Sequence, residues 1–360
     1  MSQTSRLVSL DALRGFTIAA MIVVNFPGSE AAVFPTLSHS RWNGLTFTDL
    51  VAPFFLFFVG MSIALAFSHK RGQPGLYRKI LIRSLRIYAV GMLLNLLPDF
   101  DFSDVRWTGT LHRIAIVFGV CASLYLSSNW KVQASVAGFL VVEYWLVMTL
   151  IPTPGYGKVM LEPGQNLAAW VDSLYLPGKM WQGTWDPEGI LSTFPSIATG
   201  ITGMLAGQWM LTQRPPEEKT IFLMIAGLVS ASAGYFWGLI FPVNENLWTS
   251  SFVLVTSGFA SLLFGTFYYI VDIRGDAAWT CPGIIFGSNA IVAYVLADVF
   301  ALVFYRSIGG GEPLNEAVVG SLTAAGMGAK GASLLYALLF VGVNFIPVWW
   351  LYRKRIFIRL

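Results

Sequence analysis

His39, one of three histidines in 360 residues, lies in the run Ser38-His39-Ser40-Arg41-Trp42-Asn43-Gly44, ten residues before Asp49. An imidazole takes up a proton near neutral pH, and a carboxylate at the start of a following helix can orient it. The plainer alternative is a loop histidine bonded to its neighbours, with Asp49 no more than a favourable charge at a helix start. Asn25, deep in the first apolar run, offers an amide that can polarise a carbonyl or stabilise an oxyanion. It can equally make a hydrogen bond between helices, the commoner use of asparagine in an apolar bundle. Asp11 and Arg14 stand one helical turn apart and can pair with each other.

These side chains need a scaffold, and composition says what kind. Hydrophobic residues make up 55% of the chain and charged residues only 12%, with a mean hydropathy of +0.64. That is more apolar than a soluble core requires, so lipid is the solvent for most of the chain. At about 20 apolar residues per crossing, ten spans are expected near 11–28, 49–67, 80–98, 110–127, 131–151, 188–211, 219–241, 249–271, 283–304 and 331–352. The fold expected is an all-α polytopic transmembrane helix bundle forming a single domain over 1–360. Arg6 and the apolar stretch from Phe16 to Val24 have the look of a signal peptide, but Asp11 and Arg14 argue for a retained span.

Charge then orients the bundle. With the N-terminus inside, Arg6, Lys70, Arg71, Arg78, Lys79, Lys131, Arg214, Lys219, Arg274, Arg353, Lys354, Arg355 and Arg359 fall in cytoplasmic segments. Arg41, Arg106, Lys158, Lys179, Arg306 and Lys330 fall outside, so both termini are expected to be cytoplasmic. The net charge of +4 has this topological meaning and implies no nucleic acid partner. Outer segments 29–48, 99–109, 152–187 and 305–330 are long enough to build a substrate platform. Cys121 and Cys281 have neither metal-ligand nor disulfide spacing, and no metal is expected. Charges that fall within spans are costly and therefore candidates for function: Arg14, Arg83, Arg86 and Arg113.

The motifs Ser9-Leu10-Asp11-Ala12-Leu13-Arg14-Gly15, Asn25, His39-Ser40-Arg41-Trp42-Asn43-Gly44-Leu45-Thr46 and Asp49-Leu50-Val51-Ala52-Pro53-Phe54-Phe55-Leu56-Phe57 resemble the heparan-alpha-glucosaminide N-acetyltransferase family. So do Gly109-Thr110-Leu111-His112-Arg113-Ile114, Asp186-Pro187-Glu188-Gly189 and Ser288-Asn289-Ala290-Ile291 with Tyr294. More distantly the chain is similar to the wider group of membrane acyltransferases. The resemblance runs over nearly the whole chain. It departs from the family pattern in having extra residues between Asn25 and His39, and His112 where glutamine is usual. It also lacks the large luminal extension of the animal enzyme, which implies a compact, bacterial type in the plasma membrane.

The resemblance implies an acetyltransferase that takes acetyl-CoA from the cytoplasm and acetylates an amino sugar outside, working as a homodimer. His39, Asn25 and Asp49 are the implied catalytic group. His39 would act as general base on the acceptor or carry the acetyl group itself, Asn25 would hold the oxyanion, and Asp49 would set the imidazole tautomer. Arg14, Arg83, Arg86 and Arg113 would meet the phosphates of CoA. Asp11, Trp42, Asn43, Asp186, Glu188 and Asn289 would contact substrate, with Trp107, Trp181 and Trp185 available to stack on a sugar or to anchor at the interface. Two other functions fit a charged bundle: a secondary transporter of sugars or amino sugars with His39 as its proton-coupling group, and an assembly role in which neither His39 nor Asn25 matters.

Overall fold

The computed structural model describes residues 7–98, 100–307 and 311–358, so Arg6 and Arg359 lie outside the described residues. Among the described residues there is no strand. The helices are α1 (Val8–Asn25), α2 (Phe47–Phe67), α3 (Leu76–Leu96), α4 (Thr110–Ser127), α5 (Trp130–Leu150), α6 (Leu167–Tyr175) and α7 (Ile190–Met210). They continue with α8 (Pro216–Trp237), α9 (Ser250–Phe267), α10 (Cys281–Ser288), α11 (Ala290–Phe304), α12 (Leu314–Ala324) and α13 (Ala329–Arg353).

Each of the ten expected spans falls on helix, and among the described residues eight helices are long and apolar enough to cross a membrane unaided. This is an integral membrane protein. Two of the expected spans differ from the rest. α3 has the length, but Arg78, Lys79, Arg83 and Arg86 crowd its first half. The expected continuous span 283–304 is broken: α10 and α11 meet at 74°. The break falls on Asn289, whose φ of −135° and ψ of 46° are not helical. Segments 152–187 and 305–330, between the expected spans, also contain the helices α6 and α12, which hydropathy alone does not reveal.

Contacts divide the chain into two compact units. The first is drawn from Met1–His39, Thr46–Val51 and Ile270–Leu360; the second comprises Ser40–Leu45 and Ala52–Tyr269. In the first unit, α1 lies against α10, α11 and α13. Its contact with α10 is backbone on backbone: a Cβ at Gly15 would fall on the Gly283 carbonyl, and one at Gly287 on the Asp11 carbonyl. Small residues four apart allow this approach in place of the hydrophobic drive that lipid abolishes. The start of α1 has no side-chain cap from its own turn. Asp272 supplies one, accepting from the Val8 and Ser9 N–H groups at 2.9 and 3.0 Å.

In the second unit α7 is the axis, packed against α4, α5, α6, α8 and α9. Gly203 meets the Phe57 carbonyl of α2 so closely that a Cβ there would overlap it. α8 buries only a stripe, Thr220, Leu223, Gly227, Ala231 and Gly234. Its Ile221, Ile225, Leu228 and Val229 are exposed, as expected of a helix with lipid on its outer face.

Candidate active site

The first unit carries the histidine and its carboxylate. α1 ends at Asn25, and the chain runs on through two short 3-10 turns, Glu30–Ala32 and Pro35–Leu37, to His39. This connection is fastened rather than loose. The Gly28 N–H donates to the Ser333 carbonyl at 3.3 Å, and the Ser29 N–H to Ser333 Oγ at 3.0 Å. Asn315 Nδ2 donates to the Gly28 carbonyl at 3.0 Å and the Tyr305 hydroxyl to the Pro27 carbonyl at 2.8 Å. Helices α12 and α13 and the end of α11 thus hold the segment that carries His39.

Asp49, in the first turn of α2, has a fully buried side chain, while that of His39 is 56% exposed. His39 Nδ1 lies 2.9 Å from Asp49 Oδ1, and the Thr46 N–H donates to Asp49 Oδ2 at 2.8 Å. The backbone bond fixes the carboxylate, and the carboxylate in turn holds the proton on Nδ1. The lone pair able to take a proton is then on Nε2, the arrangement of a base with an orienting acid.

The other expected residues of this unit are placed as follows. Asn25 is the last residue of α1 and is exposed. Asp11 and Arg14 make the expected ion pair across one turn, at 3.7 Å. Asn289 is buried and its amide is engaged by the C-terminal segment. Its Nδ2 donates to the Ile356 carbonyl at 3.1 Å, and its Oδ1 accepts from the Ile358 N–H at 2.9 Å.

In the second unit a denser polar cluster forms where the ends of α4 and α7 meet their preceding loops. Arg106 donates through Nε and Nη2 to both oxygens of Asp186, at 2.7 and 2.6 Å, and through Nη2 to Glu188 at 2.5 Å. Asp186 also accepts from the Thr108 hydroxyl and from the Trp181 and Glu188 N–H groups. Burial opposes the charge on Arg106, yet the two carboxylates more than offset it and hold the guanidinium above its ordinary pKa. Burial likewise works against ionised Asp186, and Arg106 outweighs it, so the carboxyl sits below the usual range. Arg113 is buried and donates to the Pro187 carbonyl at 2.7 Å and to Ser192 at 2.5 Å. Asn43 accepts from Asn244 at 3.1 Å. Trp42 donates to the Leu161 carbonyl and packs edge-on to Trp185. Arg83 and Arg86 lie on an exposed face of α3, Arg83 over the Phe118 ring.

The sequence matches the family described as "Heparan-alpha-glucosaminide N-acetyltransferase, catalytic" over residues 6–232, well over half of the chain. The chain belongs to that family. Human heparan-alpha-glucosaminide N-acetyltransferase is 30% identical over 364 residues, covering 83% of this chain and 54% of the human protein. The mouse protein is 28% identical over 372 residues, covering 84% and 55%. The chain spans about half the length of the curated relatives it matches.

The segment matched to the N-acetyltransferase family contains Asn25, His39, Asp49, Arg113, Asp186 and Glu188, and stops short of Asn289. It also contains two residues that sequence reasoning passed over. Arg106 is counted there as a topological charge, yet it is the centre of an ion cluster built on the buried Asp186. Asp172, in the unforeseen α6, accepts from the Ile190 N–H at 2.8 Å and so caps α7. Burial pushes its carboxyl up to about 7, against the opposing pull of the Ile190 N–H. A Cβ at Gly189 would land on this carboxylate, which explains the glycine of Asp186-Pro187-Glu188-Gly189. A polar residue in an otherwise apolar run was the available signal for Asp172; for Arg106 there was none, since Asp99, Asp101 and Asp104 lie within seven residues of it in sequence.

Proposed function

We propose that this protein is a transmembrane N-acetyltransferase that moves an acetyl group from cytoplasmic acetyl-CoA to the amine of a glucosamine-like sugar on the outer side of a bacterial plasma membrane. The observation that carries the proposal is the His39–Asp49 pair, an exposed imidazole on a fully buried carboxylate, inside the segment that matches the catalytic family. Catalytic activity in the curated relatives is stated by their names, and its transfer to this shorter chain is part of the proposal.

In the reaction the acceptor nitrogen attacks the thioester carbonyl. A C–N bond forms, the C–S bond breaks, and CoA leaves as a thiolate. His39 Nε2 takes the proton released by the nitrogen and returns it to the thiolate, while Asp49 stabilises the imidazolium between the two transfers. Asn25, exposed at the end of α1, is the proposed oxyanion donor. Arg14, Arg83 and Arg86 are proposed to receive the phosphates of CoA. Trp42 and Asn43 are proposed for the sugar. Arg113, Asp186, Glu188 and Asn289 already have protein partners, and their proposed part is to hold the elements that carry them. Both termini then face the cytoplasm, in keeping with the distribution of Lys and Arg.

The test is acetyl transfer by purified protein in detergent, with radiolabelled acetyl-CoA and glucosamine, comparing wild type with His39→Ala. Acetylated sugar from the wild type alone supports the proposal. If wild type consumes no acetyl-CoA across a panel of amino sugars, and reconstituted vesicles accumulate sugar instead, transport replaces transfer.

A further inference from the structure

The loop between α8 and α9, in the second unit, holds a fully buried asparagine, Asn244. Most of its bonds close its own turn. Its N–H donates to Thr249 Oγ1 at 3.1 Å, its carbonyl accepts from the Thr249 N–H at 3.1 Å, and its Oδ1 accepts from the Leu247 N–H at 2.8 Å. One bond leaves the turn: Nδ2 donates to Asn43 Oδ1 at 3.1 Å. Beside it the Gly44 N–H donates to the Val243 carbonyl at 2.8 Å, with Gly44 at a φ of 129°, in the region that favours glycine. The run Trp42-Asn43-Gly44 is thus pinned to the turn by backbone and by side chain together.

These bonds decide which end of the Asn43 amide faces outward. A backbone N–H can only donate, so Leu247 fixes Asn244 Oδ1 as an acceptor and leaves the Asn244 NH2 to meet Asn43. Asn43 must answer with its oxygen. Asn43 is exposed, and its own NH2 makes no hydrogen bond among the described residues. The indole N–H of neighbouring Trp42 already donates to the Leu161 carbonyl, so the Asn43 NH2 is the free side-chain donor of the pair. An NH2 group presented in this way binds an oxygen. The amine of an amino sugar, an ammonium near neutral pH like that of lysine, has three donors and no acceptor to offer it.

We propose that Asn244 is a positioning residue of the acceptor site: by holding the Asn43 NH2 outward it makes Asn43 bind a hydroxyl, ring or glycosidic oxygen of the sugar, and not the amine that reacts. The sugar is thereby gripped away from its nucleophile. This assignment rests on the reading of the protein as an amino-sugar acetyltransferase.

The experiment is steady-state acetylation of glucosamine by full-length protein in detergent at saturating acetyl-CoA, comparing wild type with Asn43→Asp, Asn244→Ser and the double variant. Asn43→Asp keeps the oxygen that Asn244 meets and replaces the outward NH2 by an oxygen. Asn244→Ser keeps a hydroxyl to accept from the Leu247 N–H, as serine does in short turns, and removes the group that reaches Asn43. Each single variant should raise KM for glucosamine about fivefold, the equivalent of one neutral hydrogen bond. The kcat should stay unchanged, because the contact is made equally before and during the reaction. The double variant should be no worse than Asn43→Asp alone. A lower KM in Asn43→Asp would put the ammonium at Asn43 and overturn the proposal, as would an unchanged one. Increases that multiply in the double variant would overturn the role of Asn244. Asn43→Asp lies at the surface, so its KM decides which end of the amide meets the sugar even where Asn244→Ser does not fold. A wild type that acetylates no amino sugar would overturn the enzyme reading and this assignment with it, an outcome told apart by the wild type alone.

Discussion

Asp49→Asn is the sharpest perturbation of the proposed chemistry, because it keeps the size of the side chain and changes only what it can accept. Wild-type Asp49 accepts from His39 Nδ1 through one oxygen and from the Thr46 N–H through the other. Asparagine has one acceptor oxygen, and the backbone donor at Thr46 cannot become anything else. The amide oxygen therefore goes to Thr46, and the amide NH2 turns to His39 Nδ1, which must become an acceptor. The imidazole proton moves to Nε2, and the base that the acceptor amine requires disappears. General-base catalysis contributes typically 10²–10⁴ in rate, about 2.7–5.4 kcal/mol of barrier. The variant should lose that factor in kcat with little change in KM, since neither substrate loses a contact. Stability should fall by only about 1.5–3 kcal/mol, the worth of a charge-assisted hydrogen bond, so the protein should remain folded. The assay is steady-state acetylation of glucosamine, with thermal unfolding in the same detergent as the control. A folded Asp49→Asn protein within threefold of wild-type kcat would refute both the tautomer argument and the role assigned to His39.

The remaining predictions concern the frame. Asp172, raised to about 7 from its ordinary 3.8, holds a proton in the folded state that the unfolded chain releases. Stability should therefore fall as pH rises from about 4 to 7 and level off above. Asp172→Asn cannot ionise and should flatten that dependence, gaining up to roughly 4 kcal/mol at pH 8; thermal unfolding at pH 5 and 8 reads it. Arg106→Met strands Asp186 as a buried charge and should cost about 3–5 kcal/mol. Adding Asp186→Asn should recover part of that loss in the same unfolding assay, whereas purely additive losses would deny the coupling. Gly189→Ala drives a methyl onto the Asp172 carboxylate and should cost about 1–3 kcal/mol. Asn289→Ala removes both bonds to the C-terminal segment, so hydrogen exchange at the Ile358 amide should quicken while that within α13 stays slow.

How much of this was legible beforehand follows from what lipid penalises. Eight of the ten expected spans are single helices of spanning length, because an unpaired backbone group in hydrocarbon costs several kcal/mol, and that cost is written into the sequence as apolar length. Hydropathy is blind, however, to what a polar side chain inside a span does to the backbone. Ala290 to Phe304 is apolar apart from Asp298, yet the helix breaks just before it, because Asn289 bonds to a segment 67 and 69 residues away. The His39–Asp49 pair was legible because its partners are close in sequence, and a turn and a helix start suffice to bring them together. The Arg106 cluster was not, since Asp186 and Glu188 lie 80 and 82 residues further on.

The rule that counts Lys and Arg by side of the membrane treats every loop cation as equivalent, and here that assumption fails in a particular way. Lys158 and Lys179, counted with Arg106, are exposed loop cations. Arg106 is instead half-buried between two carboxylates, and its own carbonyl and that of Thr108 accept from Asn95. Those bonds tie the loop before α4 to the end of α3, as the carboxylates tie it to the start of α7. A loop cation is topological when water can reach it and structural when an acid from another loop reaches it first. Segments 99–109 and 152–187 therefore carry more of the fold's specificity than their place outside the spans suggests. The acids of Asp186-Pro187-Glu188-Gly189 are the sequence feature from which that pairing should be sought, because two carboxylates two residues apart at a helix start need a cation that their own helix does not supply.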